Sequence, residues 1–174
     1  GDADAAMAAL DELVLRHPQG AHADEAQFRR GEVYFSAQRY VDAGQAYGRA
    51  VDILMPVSME GRGAFPEFRL RLGQALFDLG AWQMRGGDLD GAAKSFTSAV
   101  GQHAVVAEHR VNLAYDYLML ARVASARGDV ASARRAAVEL LGLLPRLSDE
   151  DRRALAPPVE DLKTKVGLSP GGEP

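Results

Sequence analysis

The chain has 174 residues, of which 47% are hydrophobic and 25% charged, with a formal net charge of −4 and no cysteine. That length and balance fit one ordinary globular domain with a useful core. The acidic charge excludes general nucleic-acid binding, which needs a basic surface, and the missing cysteine excludes disulfides and thiolate metal sites.

Alanine is abundant and β-branched and aromatic residues are scarce, which favours closely packed helices. The first helix is expected at about 3–16. Its apolar stripe, Ala6, Met7, Leu10, Leu13 and Val14, should pack on a helix beginning near Ala23. Residues 1–18 thus form an orphan helix. Gly1–Ala9 holds no basic stretch followed by an apolar core, so no signal peptide is expected there. His17 and His22 flank the Pro18-Gln19-Gly20 turn and read as solvated turn residues. Helices at about 22–37 and 40–54 make a first complete hairpin.

The segment Met55–Phe65 carries Met55, Val57, Met59 and Phe65 around Gly61-Arg62-Gly63. It reads as an insertion that fills a gap between hairpins, folds back into a groove or docks on a partner. Helices at about 66–86 and 89–101 form the second hairpin, and helices at about 105–127 and 130–143 the third. His103 and His109 lie six residues apart, which is not a one-face helical spacing for metal ligands. Ser148 followed by Asp149, Glu150 and Asp151 looks like a capped helix start. Two short helices are expected, at about 148–155 and 157–166, separated by Pro157-Pro158. They cap the end of the stack over 148–166, and residues 167–174 read as a flexible tail. The expectation is one domain over 1–166, with hairpins at about 22–54, 66–101 and 105–143.

Four segments repeat. Gly1-Asp2, Gln38-Arg39, Gly87-Asp88 and Gly128-Asp129 are each followed at a fixed offset by alanine: Ala6, Ala43, Ala92 and Ala133. Four residues later come Leu10, Tyr47, Phe96 and Ala137, and Pro18, Pro56 and Pro145 close three of the segments. Gly31, Gly80 and Ala121 stand at matching places in the upstream helices. Small residues there let antiparallel helices approach, and a bulky neighbour fills the space beside the contact. A glycine-aspartate pair turns the chain and caps the next helix.

This pattern resembles the tetratricopeptide repeat, with its small-residue pair, A-x3-F and closing proline. The likeness covers roughly residues 1–145 and is tighter in the second helices than in the first. The alanine spacings of 37, 49 and 41 residues exceed the usual period of about 34, so the array is irregular. The resemblance implies an all-α superhelix of stacked antiparallel helical hairpins with a C-terminal capping segment. It also implies a concave groove lined by the first helix of each hairpin. The corresponding residues are Glu25, Phe28, Glu32 and Phe35, then Gln74, Phe77, Met84 and Arg85, then Tyr115, Leu118 and Arg122. The partner it implies is another protein, docked there as a peptide or helix. Phe28, Glu32, Phe77 and Ala81 hold the places of the carboxylate-gripping lysines and asparagines found in some relatives, so that clamp is absent.

No phosphate loop, nucleophile elbow or His-Glu-x-x-His motif occurs, so neither catalysis, a metal nor a cofactor is expected. Arg29-Arg30, Arg134-Arg135 and Arg152-Arg153 are dispersed and offset by acids, as solubilising charges are. No apolar run is long enough to span a membrane. Gly31-x2-Tyr34-Phe35 and Arg39-Tyr40, within His17–Ala50, resemble bacterial cell-envelope tetratricopeptide proteins and lipoproteins. That likeness implies a scaffold in an envelope multiprotein machine, placed in the periplasm. The alternatives are a regulatory module of a larger kinase or transcription regulator, which would be cytoplasmic, and a small-ligand or peptide receptor.

Overall fold

The computed structural model describes residues 2–17, 22–54 and 66–168. The turn at Pro18-Gln19-Gly20, the insertion at 55–65 and all but the first two residues of the tail lie outside the described residues. Among the described residues eight α-helices run in order: α1 (Asp2–Arg16), α2 (Ala23–Ser36), α3 (Tyr40–Leu54), α4 (Pro66–Arg85), α5 (Leu89–His103), α6 (Arg110–Ala126), α7 (Val130–Leu143) and α8 (Asp149–Val166). No strand occurs among the described residues. The fold is all-α and built of helical hairpins, as the repeat predicts.

The hairpin turns follow from local chemistry. Gly87 and Gly128 take the left-handed conformation, at φ 82° and 75°, where a side chain is strained. Asp88 then accepts a hydrogen bond from the Gly91 amide at 2.9 Å, and Asp129 accepts one from the Ser132 amide at 2.9 Å. In the α2–α3 turn Gln38 holds the left-handed place instead, at φ 59°.

The chain divides into two compact units, residues 1–79 and 80–174, with the boundary inside α4. In the first unit, α2, α3 and the start of α4 enclose Phe28, Ala43, Tyr47, Ala50, Leu72 and Ala75. A Cβ built on Gly31 would stand 2.5 Å from the Tyr47 ring, so glycine sets how closely α2 and α3 approach. In the second unit the same device recurs: a Cβ on Gly80 would stand 2.9 Å from the Phe96 ring. The third hairpin replaces that small–large pair with two middling residues, Ala121 and Ala137, both buried in one core with Ala114, Leu118, Ala133 and Leu140.

Glycine inside a helix has the opposite meaning where nothing packs on it. Gly48 lies within α3, with no atom within 4 Å of a built Cβ. Gly48→Ala is expected to stabilise the first unit by about 0.5–1 kcal/mol, since alanine loses less backbone entropy on folding. A urea denaturation midpoint that moved down would contradict this.

Two boundaries differ from the sequence expectation. The 105–127 segment is not one helix: a 3-10 turn at Ala107–His109 precedes α6. The two short C-terminal helices are one continuous helix, α8, through Pro157 and Pro158. Each proline opposes a helix interior by about 3 kcal/mol. Leu155, Val159, Leu162 and Val166 are all buried on one stripe that runs past both prolines. Burying four such side chains contributes about 1.5–3 kcal/mol each, enough to offset both breaks. Arg153 and Ala154, whose carbonyls lose their amide partners, lie on the exposed side. Ser148 caps α8 as expected, accepting from the Asp151 amide at 3.1 Å. Gly167 ends it at φ 69°, and Arg134 of α7 donates to the Val166 carbonyl at 2.7 Å.

Candidate functional site

The residues assigned to the groove fall on α2, α4 and α6. On α2, Glu25 and Glu32 flank Arg29, which donates to them at 2.7 and 2.8 Å. These charges hold the Arg29 guanidinium proton more firmly, chiefly through the Glu32 hydrogen bond, and form an accessible ladder on that face. Phe35 is half-buried, with its ring edge-on to Tyr40 at 5.7 Å between centroids. Phe28 is not on this surface. It is 6% exposed and packs on the Tyr47 ring at 5.3 Å. One α-helical residue is about 100° of rotation, and α2 turns Phe28 toward α3 rather than outward. Gln74 and Phe77, on the part of α4 in the same unit, are partly buried.

In the second unit Arg85 is exposed, Met84 and Arg122 are half-buried and Tyr115 is 38% exposed. Leu118 is a core residue at 2% exposure, so it too leaves the candidate surface. The rotation of α6 explains the difference: Ala114, Leu118 and Ala121 form the stripe that packs on α7 and α8. Trp82 is not among the groove residues that the repeat implies, yet it is 60% exposed. Its signal was legible. Ala75 and Gly80 mark the buried side of α4, and Trp82 sits two residues on from Gly80, on another face.

A further cleft, of about 300 Å³, opens in the second unit over Tyr117, Leu120 and Ala124 of α6. Arg135 and Glu139 stand on its α7 side. Arg127, at its edge, pairs with Asp90 of α5 at 3.0 Å. Charges of both signs line it, which gives no preference for an anion or a cation.

The buried polar groups are elsewhere. His103 at the end of α5 and Asp116 on α6 are 1% and 0% exposed and lie 2.6 Å apart, Nδ1 to Oδ2. The His109 ring stands edge-on to His103, 5.7 Å between centroids. The turn at 104–109 folds the two histidines together, which helical spacing alone could not reveal. Among the described residues no three His, Cys, Asp or Glu side chains are grouped to hold a metal ion. No described helix is long and apolar enough to cross a membrane.

Models of the tetratricopeptide repeat match residues 1–56 and 74–104 of the chain. No curated protein matches it.

Proposed function

Because the chain belongs to the tetratricopeptide repeat family, a family of protein-interaction modules, we propose that it is a non-catalytic scaffold in a bacterial envelope machine. The observation that carries the binding reading is the exposure of two large aromatic residues, Trp82 on α4 and Tyr115 on α6. Each belongs to the first helix of its hairpin, the helix that the repeat's geometry turns toward a partner. Large amphipathic rings at the surface are the anchors most often found at the centre of protein interfaces. In the second unit Met84, Arg85 and Arg122 join them. In the first unit the stretch comprises Glu25, Glu32, Phe35, Gln74 and Phe77. The envelope assignment is supported by the Gly31-x2-Tyr34-Phe35 and Arg39-Tyr40 likeness.

Photo-crosslinkers placed at 82 and 115 in the cell that encodes the chain test the binding face. Val138 on the second helix α7 is 57% exposed and serves as the control position. Protein crosslinks are expected at 82 and 115 and not at 138. Trp82→Ala is expected to weaken the captured complex at least tenfold, the size of an aromatic anchor's loss. Equal crosslinking at 138, or an unchanged affinity for Trp82→Ala, would remove this surface. Fractionation of the native gene product tests the compartment, and recovery with the cytosol would overturn the envelope reading.

A further inference from the structure

The second unit buries three titratable side chains at the joint between the α4–α5 and α6–α7 hairpins. His103, His109 and Asp116 are 1%, 6% and 0% exposed. A single short hydrogen bond, between His103 Nδ1 and Asp116 Oδ2, joins two of them. Three of their other polar atoms, His103 Nε2, His109 Nδ1 and Asp116 Oδ1, are buried without a hydrogen-bond partner among the described residues. Unpartnered buried polar atoms are rare in folded proteins, and three in one cluster mark a place that is held at a cost. His109 is also the last residue of the short 3-10 turn, Ala107–His109, that links the hairpins.

We propose that this cluster is an acid-released latch: a second proton cannot be held inside it, and taking one up frees the Ala107–His109 turn from α5 and α6.

With Asp116 ionised and His103 donating through Nδ1, the pair carries one buried negative charge. One added proton, held between the two across their hydrogen bond, makes a neutral pair that can stay buried. The next proton must go to His109, whose ring stands edge-on to that pair. Burial pushes His109 below the usual histidine range and His103 pushes it further the same way, while Glu108 opposes them. Burial pushes Asp116 up, against the hydrogen bond and charge of His103. The groups that act on His109 and Asp116 include their cluster partner His103 and, for His109, Glu108 of the turn. Glu139 of α7 acts on Tyr117, the neighbour of Asp116, and α8 meets this core through Leu155, Val159, Leu162 and Val166.

A histidine with a lowered folded pKa contributes stability that is complete above its unfolded value of about 6.5 and is lost as pH falls through the folded value. Asp116 runs the other way: its raised value favours the folded state in acid, and that advantage is lost as pH rises through it. His109 therefore governs the loss that begins just below pH 6.5, and an amide at 116 removes the opposing titration.

Backbone hydrogen exchange of residues 104–110, read on the full chain from pH 7.5 to 5.0 and corrected for intrinsic rates, tests the latch. Protection of this turn is expected to fall up to tenfold per pH unit below about pH 6.5, the slope of one proton. The α7 amides should keep theirs. His109→Phe preserves an edge-on ring that does not titrate, and its protection is expected to be flat over this range. Asp116→Asn keeps an acceptor for His103 and should leave the loss in place. Should His109→Phe fold poorly, histidine NMR on the unaltered chain decides. His17 and His22 are exposed and serve as internal references. A His109 that titrates with those references, or turn protection that does not change with pH, overturns the proposal.

Discussion

Phe96→Ala is expected to destabilise the unit formed by residues 80–174 by about 3–5 kcal/mol. The side chain is fully buried on α5, and its ring fills the space that Gly80 leaves on α4. Removing it forfeits the transfer energy of the ring and leaves a cavity bounded by two helices. The glycine cannot refill that cavity, because it has no side chain to reorient. The third hairpin shows what a refilled site looks like, since Ala121 stands where Gly80 does and Ala137 where Phe96 does. Phe96→Ala combined with Gly80→Ala reproduces that alanine pair, and it should recover part of the loss. Urea denaturation monitored by Trp82 fluorescence measures both, since Trp82 lies in the same unit. A loss below 1 kcal/mol for the single variant would mean that α4 and α5 do not meet through this contact.

Gly31→Ala carries the second large effect, with a sign opposite to helix propensity. Alanine is favoured over glycine by about 1 kcal/mol in an open helix. Here the new methyl would lie 2.5 Å from the Tyr47 ring, which is itself 1% exposed and packed at a tilt against Phe28. The ring has nowhere to go, so α2 and α3 must separate, at about 1–3 kcal/mol. In a Tyr47→Ala background the clash is gone and propensity alone remains, so Gly31→Ala should become neutral or stabilising there. A double-mutant cycle by urea denaturation reads the coupling, and a value within 0.5 kcal/mol of zero, the scatter of independent sites, would refute the contact. The Tyr47 hydroxyl is buried without a hydrogen-bond partner among the described residues, and burial pushes it up to about 12. Its stabilising share is complete below the ordinary tyrosine value of about 10 and is lost as pH rises through about 12. Tyr47→Phe, which keeps the ring, should remove this alkaline sensitivity.

Those two contacts join residues that the local spacing of the repeat marks out as small and bulky positions. The distance from a helix's small residue to the turn, and from the turn to the next alanine and ring, recurs along the chain. Gly31 with Tyr47 and Gly80 with Phe96 follow from that recurrence, as do the turns at Gly87-Asp88 and Gly128-Asp129. Helix rotation is less legible. Phe28 and Leu118 were assigned outward by analogy with the repeat, and both face cores, because which residue of a broad apolar stripe points inward depends on the neighbours it meets. Trp82 was visible as the residue off the stripe of α4, yet its exposure is a property of the folded unit.

The amino-acid order by itself determined the all-α hairpin repeat, its small residues and its glycine-aspartate turns, because each arises from residues a few positions apart. Only the tertiary structure decided that α8 runs through two prolines, since that depends on a stripe of four side chains finding a core to enter. It alone placed Asp116 beside His103. Residues 13 apart meet there through an irregular turn, and no periodicity encodes a polar pair that forms only when the end of one helix closes on the body of the next.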